Sequence, residues 1–188
     1  PEELKNEPIT IGMWVGMSST PNTMKETQEK VDTINEECNK KNNGMEGNPE
    51  QNNVFQISSC PWCGTKLITN NKFGKVVPGF KIEGKGKNAE FKIKCLNENC
   101  PFHNELPVQV VDEMLYEKPP TLLFGTVDKF AMLAWRSKGH RFFNSLDDEK
   151  LPPDLIIQDE LHLLTGPLGS ITGIYESVIE ILCKKSDK

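Results

Sequence analysis

Two groups of residues in this sequence have the types and spacing needed for chemistry. The first is the run Pro152-Pro153-Asp154-Leu155-Ile156-Ile157-Gln158-Asp159-Glu160-Leu161-His162, where a short apolar stretch ends on adjacent carboxylates and then a histidine. If Leu155 to Gln158 form a buried parallel strand, the carboxylates emerge at the sheet edge where open α/β folds bind their ligands. There Asp159 can hold a magnesium ion, a hard cation that takes oxygen ligands. Glu160 can orient or deprotonate an attacking water, and His162 can report nucleotide state to a second lobe. Together these are parts of a phosphoryl-transfer site. Adjacent carboxylates also cap strand-to-helix turns in many proteins; the apolar run before them and the histidine after them favour the catalytic reading. No Gly-rich loop of the form G-x-x-x-x-G-K-[S/T] occurs anywhere, so only half of an ATP site is present. The chain opens on Pro1 and is read as a piece of a larger motor, expected to be inactive as an ATPase by itself.

The second group is sulfur. Cys60-Pro61-Trp62-Cys63-Gly64 is a C-x2-C knuckle, and Cys95-Leu96-Asn97-Glu98-Asn99-Cys100 is a C-x4-C pair. Four soft thiolates on two turns suit a tetrahedral zinc ion. Gly64, Asn97 and Asn99 suit the tight turns such knuckles need. Cys60, Cys63, Cys95 and Cys100 fill all four positions, so the expected zinc is structural rather than catalytic. His103, three residues past Cys100, is an alternative fourth ligand. Disulfides are the competing reading, but no thioredoxin-like pattern surrounds the knuckle. Cys38 and Cys183 stand apart at helical positions.

These groups need elements to position them. Ile9 to Val15 reads as a buried strand, and Ser18-Ser19-Thr20-Pro21 as a helix start with a hydroxyl cap and an early proline. Met24, Val31, Ile34 and Cys38 form a thin apolar stripe on that helix. Residues 39–53 are rich in Asn, Gly, Lys and Glu and read as a mobile loop. Val54 to Val110 is an island of short apolar runs, Val54-Ile57, Lys66-Thr69 and Phe91-Lys94, broken by glycines, as expected of small hairpins around a metal. Thr121 to Phe124 is a strand, Gly125 to Asp128 a turn, and Phe130 to Arg136 a short helix. Leu155 to Gln158 is the next strand. A helix from about Leu168 to Lys184 carries Ile171, Ile174, Tyr175, Val178, Ile181 and Leu182 at helical spacing. Strand, helix, strand, helix implies an α/β fold with a parallel sheet and crossover helices.

Leu155-Ile-Ile-Gln-Asp-Glu-Leu-His162 resembles motif II of superfamily 2 helicases of the Asp-Glu-x-His type. With the flanks PPTLLFGTVDKFAMLAW and QDELHLLTGPLGSITGIYE, the chain is similar to the helicase-like proteins of the bacterial DISARM anti-phage system. The resemblance covers residues 119–180 and, less fully, 8–22. It implies a partial RecA-like lobe, the fold of P-loop nucleotidases, built from residues 1–53 and 107–188 and interrupted by a zinc-ribbon insertion at 54–106. It further implies ATP and magnesium in the intact protein, with Asp159, Glu160 and His162 as the magnesium-associated acid, catalytic base and coupling residue. Thr126, in Gly-Thr-Val-Asp-Lys, falls where such helicases place a threonine on the nucleic-acid backbone, although the family often has Thr-Pro-Gly there. Lys129 is a second candidate for a phosphate contact. Trp14-Val15-Gly16 falls near a strand-end glycine that also faces nucleic acid in relatives. The implied partners are nucleic acid, DNA rather than RNA, and other defence-system proteins. The alternative is a non-enzymatic zinc-ribbon binding module on an α/β scaffold.

The bulk composition bounds these readings. The 188 residues carry a net charge of −5, with 36% hydrophobic and 26% charged residues, enough for a lean packed core. Charge is uneven: between Cys60 and Leu106 eight lysines face four glutamates, a local excess of +4. Four thiolates around one zinc would lower that to about +2. The basic segment, with Phe73, Phe80 and Phe91 interleaved, is a candidate nucleic-acid or protein contact. No apolar stretch reaches the roughly 20 residues that span a bilayer. Paired cysteines without a secretory signal point to a reducing compartment, the cytoplasm.

Overall fold

The computed structural model describes residues 8–16, 20–131, 133, 137–144, 151–159 and 176–184. The chain divides into two compact units, residues 1–124 and 125–188. The architecture is mixed α/β, as the alternating pattern predicts.

In the first unit, β1 (Ile11–Trp14) lies at the centre of a three-stranded sheet. One neighbour is the later strand Val108–Gln109, parallel to it, with Ile11 opposite Val108 and Gly12 opposite Gln109. The other is Leu122–Gly125, joined through Leu122 N–H donating to the Thr10 carbonyl at 3.0 Å. Thr10 and Thr121 extend this seam: each backbone amide donates to the other's hydroxyl, at 3.2 and 3.0 Å. Gly12 is required by its neighbours. A Cβ there would lie 2.5 Å from Pro120 Cγ and 2.6 Å from Leu115 Cδ2, well inside van der Waals contact. At the strand end, the buried Trp14 indole donates to Tyr116 Oη at 3.0 Å.

Helix α1 (Met24–Asn42) starts later than the Ser18–Pro21 reading. Its cap is Thr23, in extended conformation, and the reason is the spacing Thr23-x-x-Glu26. Glu26 N–H donates to the Thr23 hydroxyl, and Glu26 Oε2 accepts from Thr23 N–H, a reciprocal capping box. Pro21 precedes the helix, and Ser18 and Ser19 lie outside the described residues. Thr27, Val31, Ile34 and Cys38 are its buried stripe. The helix runs to Asn42, four residues into the stretch expected as a loop. The chain then returns to it: Asn48 N–H donates to Glu37 Oε2 at 2.8 Å, and Pro49 is buried.

The cysteine-bearing segment is two antiparallel hairpins. The first is β2 (Ile68–Asn70) with β3 (Val76–Pro78); the second is β4 (Phe80–Glu83) with β5 (Glu90–Ile93). Val54–Ile57 is not a strand; there Phe55 turns inward as a core residue and Gln56 takes a positive φ of 58°. Phe55, Phe80 and Phe91 make an aromatic centre with centroid separations of 4.8, 4.5 and 6.4 Å. Gly79 joins the hairpins: its N–H donates to Leu67 O at 2.6 Å and its carbonyl accepts from Lys94 N–H at 2.8 Å. The stripe of α1 packs on β3, β4 and β5, so Val31, Ile34 and Cys38 share one apolar core with Phe55, Phe80, Phe91, Ile93 and three of the cysteines. Val110 and Val111 extend that core toward β6 (Val108–Gln109) and α2 (Asp112–Glu117). Two polar ties reinforce the join. Phe91 N–H donates to Met114 Sδ at 3.2 Å, and Met24 N–H at the start of α1 donates to Glu113 Oε2 at 2.9 Å. The boundary between the two compact units falls at Phe124/Gly125, within the last residues of β7 (Leu122–Gly125).

In the second unit, α3 (Val127–Ala131) follows β7 directly, and Ser137–Phe143 forms a 3-10 helix with Phe142 and Phe143 buried. Residues 151–159 have no regular secondary structure, and residues 176–183 are helical. The last expected helix is thus present over 176–183; Ile171, Ile174 and Tyr175 of its stripe lie outside the described residues.

Candidate metal centre and the acidic run

The hairpins bring the two cysteine pairs together. Cys60 and Cys63 lie in the turn before β2, and Cys95 and Cys100 in the loop after β5. Their four sulfurs all lie within 4.8 Å of one another. Cys60 Sγ is 3.8 Å from Cys100 Sγ, and Cys63 Sγ is 3.4 Å from Cys95 Sγ. Sulfurs about 2.3 Å from a central zinc in a tetrahedron stand about 3.8 Å apart. The pocket therefore fits a tetrahedral ion bound by thiolates. These separations are far beyond the roughly 2.05 Å of a disulfide, and all four thiols are free.

Backbone hydrogen bonds fold each knuckle. Cys60 N–H donates to Thr65 O at 2.8 Å, and Gly64 N–H returns to Cys60 O at 2.9 Å. Gly64 has φ of 74°, a left-handed conformation that glycine adopts without strain. In the second knuckle, Cys100 N–H donates to Asn97 O at 3.0 Å and Asn99 N–H to Asn97 Oδ1 at 3.0 Å. Asn97 N–H points at Cys95 Sγ at 3.4 Å, the kind of donor that steadies a thiolate. His103 is not part of the sulfur cluster. Its Nδ1 lies 3.1 Å from the Cys95 carbonyl, so the imidazole braces the backbone of a ligand instead of replacing one.

Without a metal the four thiols are unequal. Cys63 is the accessible one. Its hydrogen bonds with the Thr65 side chain and then the Thr65 backbone hold its pKa at about 6. Burial pushes Cys95 up to about 12 and raises Cys100. A cation would offset that burial by supplying the charge the thiolates lack. Thr65 and Phe102, whose ring meets Trp62 edge-on at 5.8 Å, were not legible as site residues, and neither was the Asn97 N–H as a donor to Cys95 Sγ. Their roles depend on short-range turn geometry, for which the sequence offers only adjacency to the cysteines.

The acidic run is placed differently. Leu155, Ile156 and Ile157 are exposed, Leu155 at 74% and Ile157 at 80%, and form no strand. The buried strand expected there is corrected: a central strand needs partners on its edges, and none pairs with these residues among the described strands. Asp159 is exposed; Glu160 and His162 lie outside the described residues. Thr126 is exposed and its carbonyl accepts from Lys129 N–H at 3.0 Å and Phe130 N–H at 3.3 Å, so it stands at the cap of α3. Lys129 is only 8% exposed, not a freely solvated cation. Phe80 and Phe91 are core residues and leave the nucleic-acid candidates; only Phe73 of that trio is on the surface.

Fold and site together define an α/β chain carrying, on paired hairpins, a cluster of four thiols that could hold a metal ion. No family model matches it. The chain is 35% identical, over an alignment of 205 residues, to the DISARM protein DrmA of Bacillus paralicheniformis. That alignment spans 93% of this chain, so it extends the resemblance from the flanks of the acidic run across the cysteine segment. The chain spans 17% of the length of that protein. Among the described residues no helix is long and apolar enough to cross a membrane.

Proposed function

We propose that this chain is part of an ATP-dependent nucleic-acid helicase or translocase lobe acting in phage defence. The observation that supports this reading most is the 35% identity to the DISARM protein along nearly the whole chain, with the Gln158-Asp159-Glu160-Leu161-His162 motif inside the similar region. In the intact protein a RecA-like lobe would supply the missing phosphate loop and β-strand neighbours for Leu155 to Gln158. Asp159 would then hold magnesium, Glu160 position or deprotonate water, and His162 couple the site to a second lobe. Thr126 is the better-placed candidate for a nucleic-acid contact; Lys129 needs a rearrangement to reach a phosphate. The partners are nucleic acid, DNA in preference to RNA, and other defence proteins, and the compartment is the reducing cytoplasm. The metal is zinc, in a purely structural role.

The test is ATP turnover by the intact parent protein with magnesium and nucleic acid. Glu160→Gln is expected to lower turnover by about 100-fold or more, the usual contribution of a positioned base. Undiminished turnover would overturn the assignment of Glu160; magnesium-dependent turnover by this chain alone would overturn only the expectation that it is inactive by itself. A second reading, a non-enzymatic metal-ribbon binding module, is favoured by one observation. The four sulfurs are assembled here, whereas the acidic run has no strand beneath it.

A further inference from the structure

Two aromatic rings of the ribbon stand in solvent. Trp62 is 69% exposed and Phe73 77%. Neither is on a loose end. Trp62 sits between Cys60 and Cys63 in the first knuckle, its indole edge-on to Phe102. Phe73 is at the tip of the β2–β3 hairpin, in a turn closed by its own N–H and that of Lys75, which donate to Asn71 Oδ1 at 2.9 and 3.0 Å. Gly74, with φ of 75°, completes that turn. The tip is tied to the second knuckle, where Lys72 Nζ meets Glu98 Oε1 at 3.4 Å. The Lys72–Glu98 approach places both rings at the metal-site end of the ribbon, Trp62 against Phe102 and Phe73 on a turn whose backbone is fixed by Asn71.

The charge beside them is basic. The hairpin from Lys66 to Pro78 holds Lys66, Lys72 and Lys75 and no acidic residue. Lys72 Nζ lies 5.7 Å from the Phe73 ring centroid. Lys66 and Lys72 pair with Glu50 and Glu98, but in exposed pairs at 3.7 and 3.4 Å that contribute little and exchange readily. Lys75 has no side-chain partner among the described residues.

From this juxtaposition we propose that Trp62 and Phe73, with Lys72 and Lys75, form a stacking platform for single-stranded nucleic acid. An unstacked base offers a π-face to each ring, whatever its sequence, and the backbone offers an anion at every nucleotide. A duplex hides those faces. A protein partner would have to desolvate the lysines along with the rings, which a phosphate chain instead satisfies. The platform goes beyond the motor reading and is independent of Asp159 and Glu160, so failure of either leaves the other standing.

The experiment is fluorescence anisotropy of the zinc-loaded chain with labelled oligo(dT) and oligo(rU) of about 15 nucleotides, near the upper end of single-strand site sizes. Expected is binding that weakens between about 50 and 200 mM salt and that unlabelled duplex competes for poorly. Trp62→Ala and Phe73→Ala should each weaken it roughly tenfold, Trp62→Phe much less, with metal content unchanged in all three. Tighter binding of dT assigns the strand to DNA and of rU to RNA; either supports the platform. Affinity unmoved by both alanine variants, or equal competition by duplex, overturns it. Absence of oligonucleotide binding, with tryptophan emission shifting to the blue as the chain is concentrated, overturns it in favour of protein contact.

Discussion

Cys63 and Cys95 are 3.4 Å apart yet hold their protons very differently, and metal binding must reconcile them. A bound metal requires thiolates, so every thiol protonated in the metal-free protein gives up a proton on binding. Cys95, pushed to about 12 by burial, is protonated at neutral pH and releases one; Cys100, also raised, adds to the release. Cys63, at about 6, is already largely thiolate at neutral pH. Zinc affinity is therefore expected to fall as pH falls, and more steeply below about pH 6, where Cys63 also takes up a proton. Chelator competition across that range checks this; an affinity flat in pH contradicts it. Cys95→Ser is expected to abolish stoichiometric zinc and to collapse the dispersed amide spectrum of the ribbon. His103→Ala should keep one zinc per chain, because the imidazole braces the Cys95 carbonyl and lies outside the four-sulfur cluster. Loss of zinc from the His103 variant would restore it to the ligand set. The clustering of the four cysteines was legible because two close pairs of soft ligands suit one tetrahedral site. The unequal thiols were not, since burial and the Thr65 hydrogen bonds exist only after folding.

Helix α1 shows what local sequence can and cannot reveal. Its stripe of Val31, Ile34 and Cys38 follows from periodicity, but what the stripe faces does not. The helix meets the ribbon hairpins, and nothing in its own residues distinguishes Phe80 of the ribbon from a residue of the three-stranded sheet as a partner. Its start was displaced because a serine pair followed by proline reads as a cap, while the capping box at Thr23 and Glu26 is closed by carboxylate geometry. Thr23→Ala is expected to destabilise the unit by about 1 kcal/mol in urea unfolding. Gly12→Val should cost more than the roughly 1–3 kcal/mol typical of an overfilled core, because the added carbons collide with Pro120 and Leu115. A neutral result would mean that the sheet and α2 can part at that point. The reverse failure of pattern reading is Leu155 to Ile157. An apolar run specifies burial but cannot supply the neighbours that bury it.

The ribbon and α1 share one core, so metal loss should not be confined to the hairpins. Chelation is expected to reduce the helical signal along with the ribbon's amide dispersion in one cooperative step. It should also report at Trp14, whose indole is fixed on Tyr116 within the same compact unit. Loss of ribbon signals with the helical signal intact would show two independent folding units and support a division at residues 54 and 106. The α/β class and the approach of the two cysteine pairs were readable from alternation and cysteine spacing. The union of α1 with the ribbon was not, because it is decided by contacts between residues more than 30 positions apart.

The register of β1 with β6 has a further consequence. Ile11 and Val108 are direct neighbours across parallel strands, so the chain leaves the sheet after Trp14 and must cross back to the opposite end before it re-enters at Val108. The core that α1 shares with the hairpins fixes most of that crossing, so only the turns outside the core, such as residues 71–75, can change length cheaply: doubling a flexible loop adds only about 0.6 kcal/mol of closure entropy.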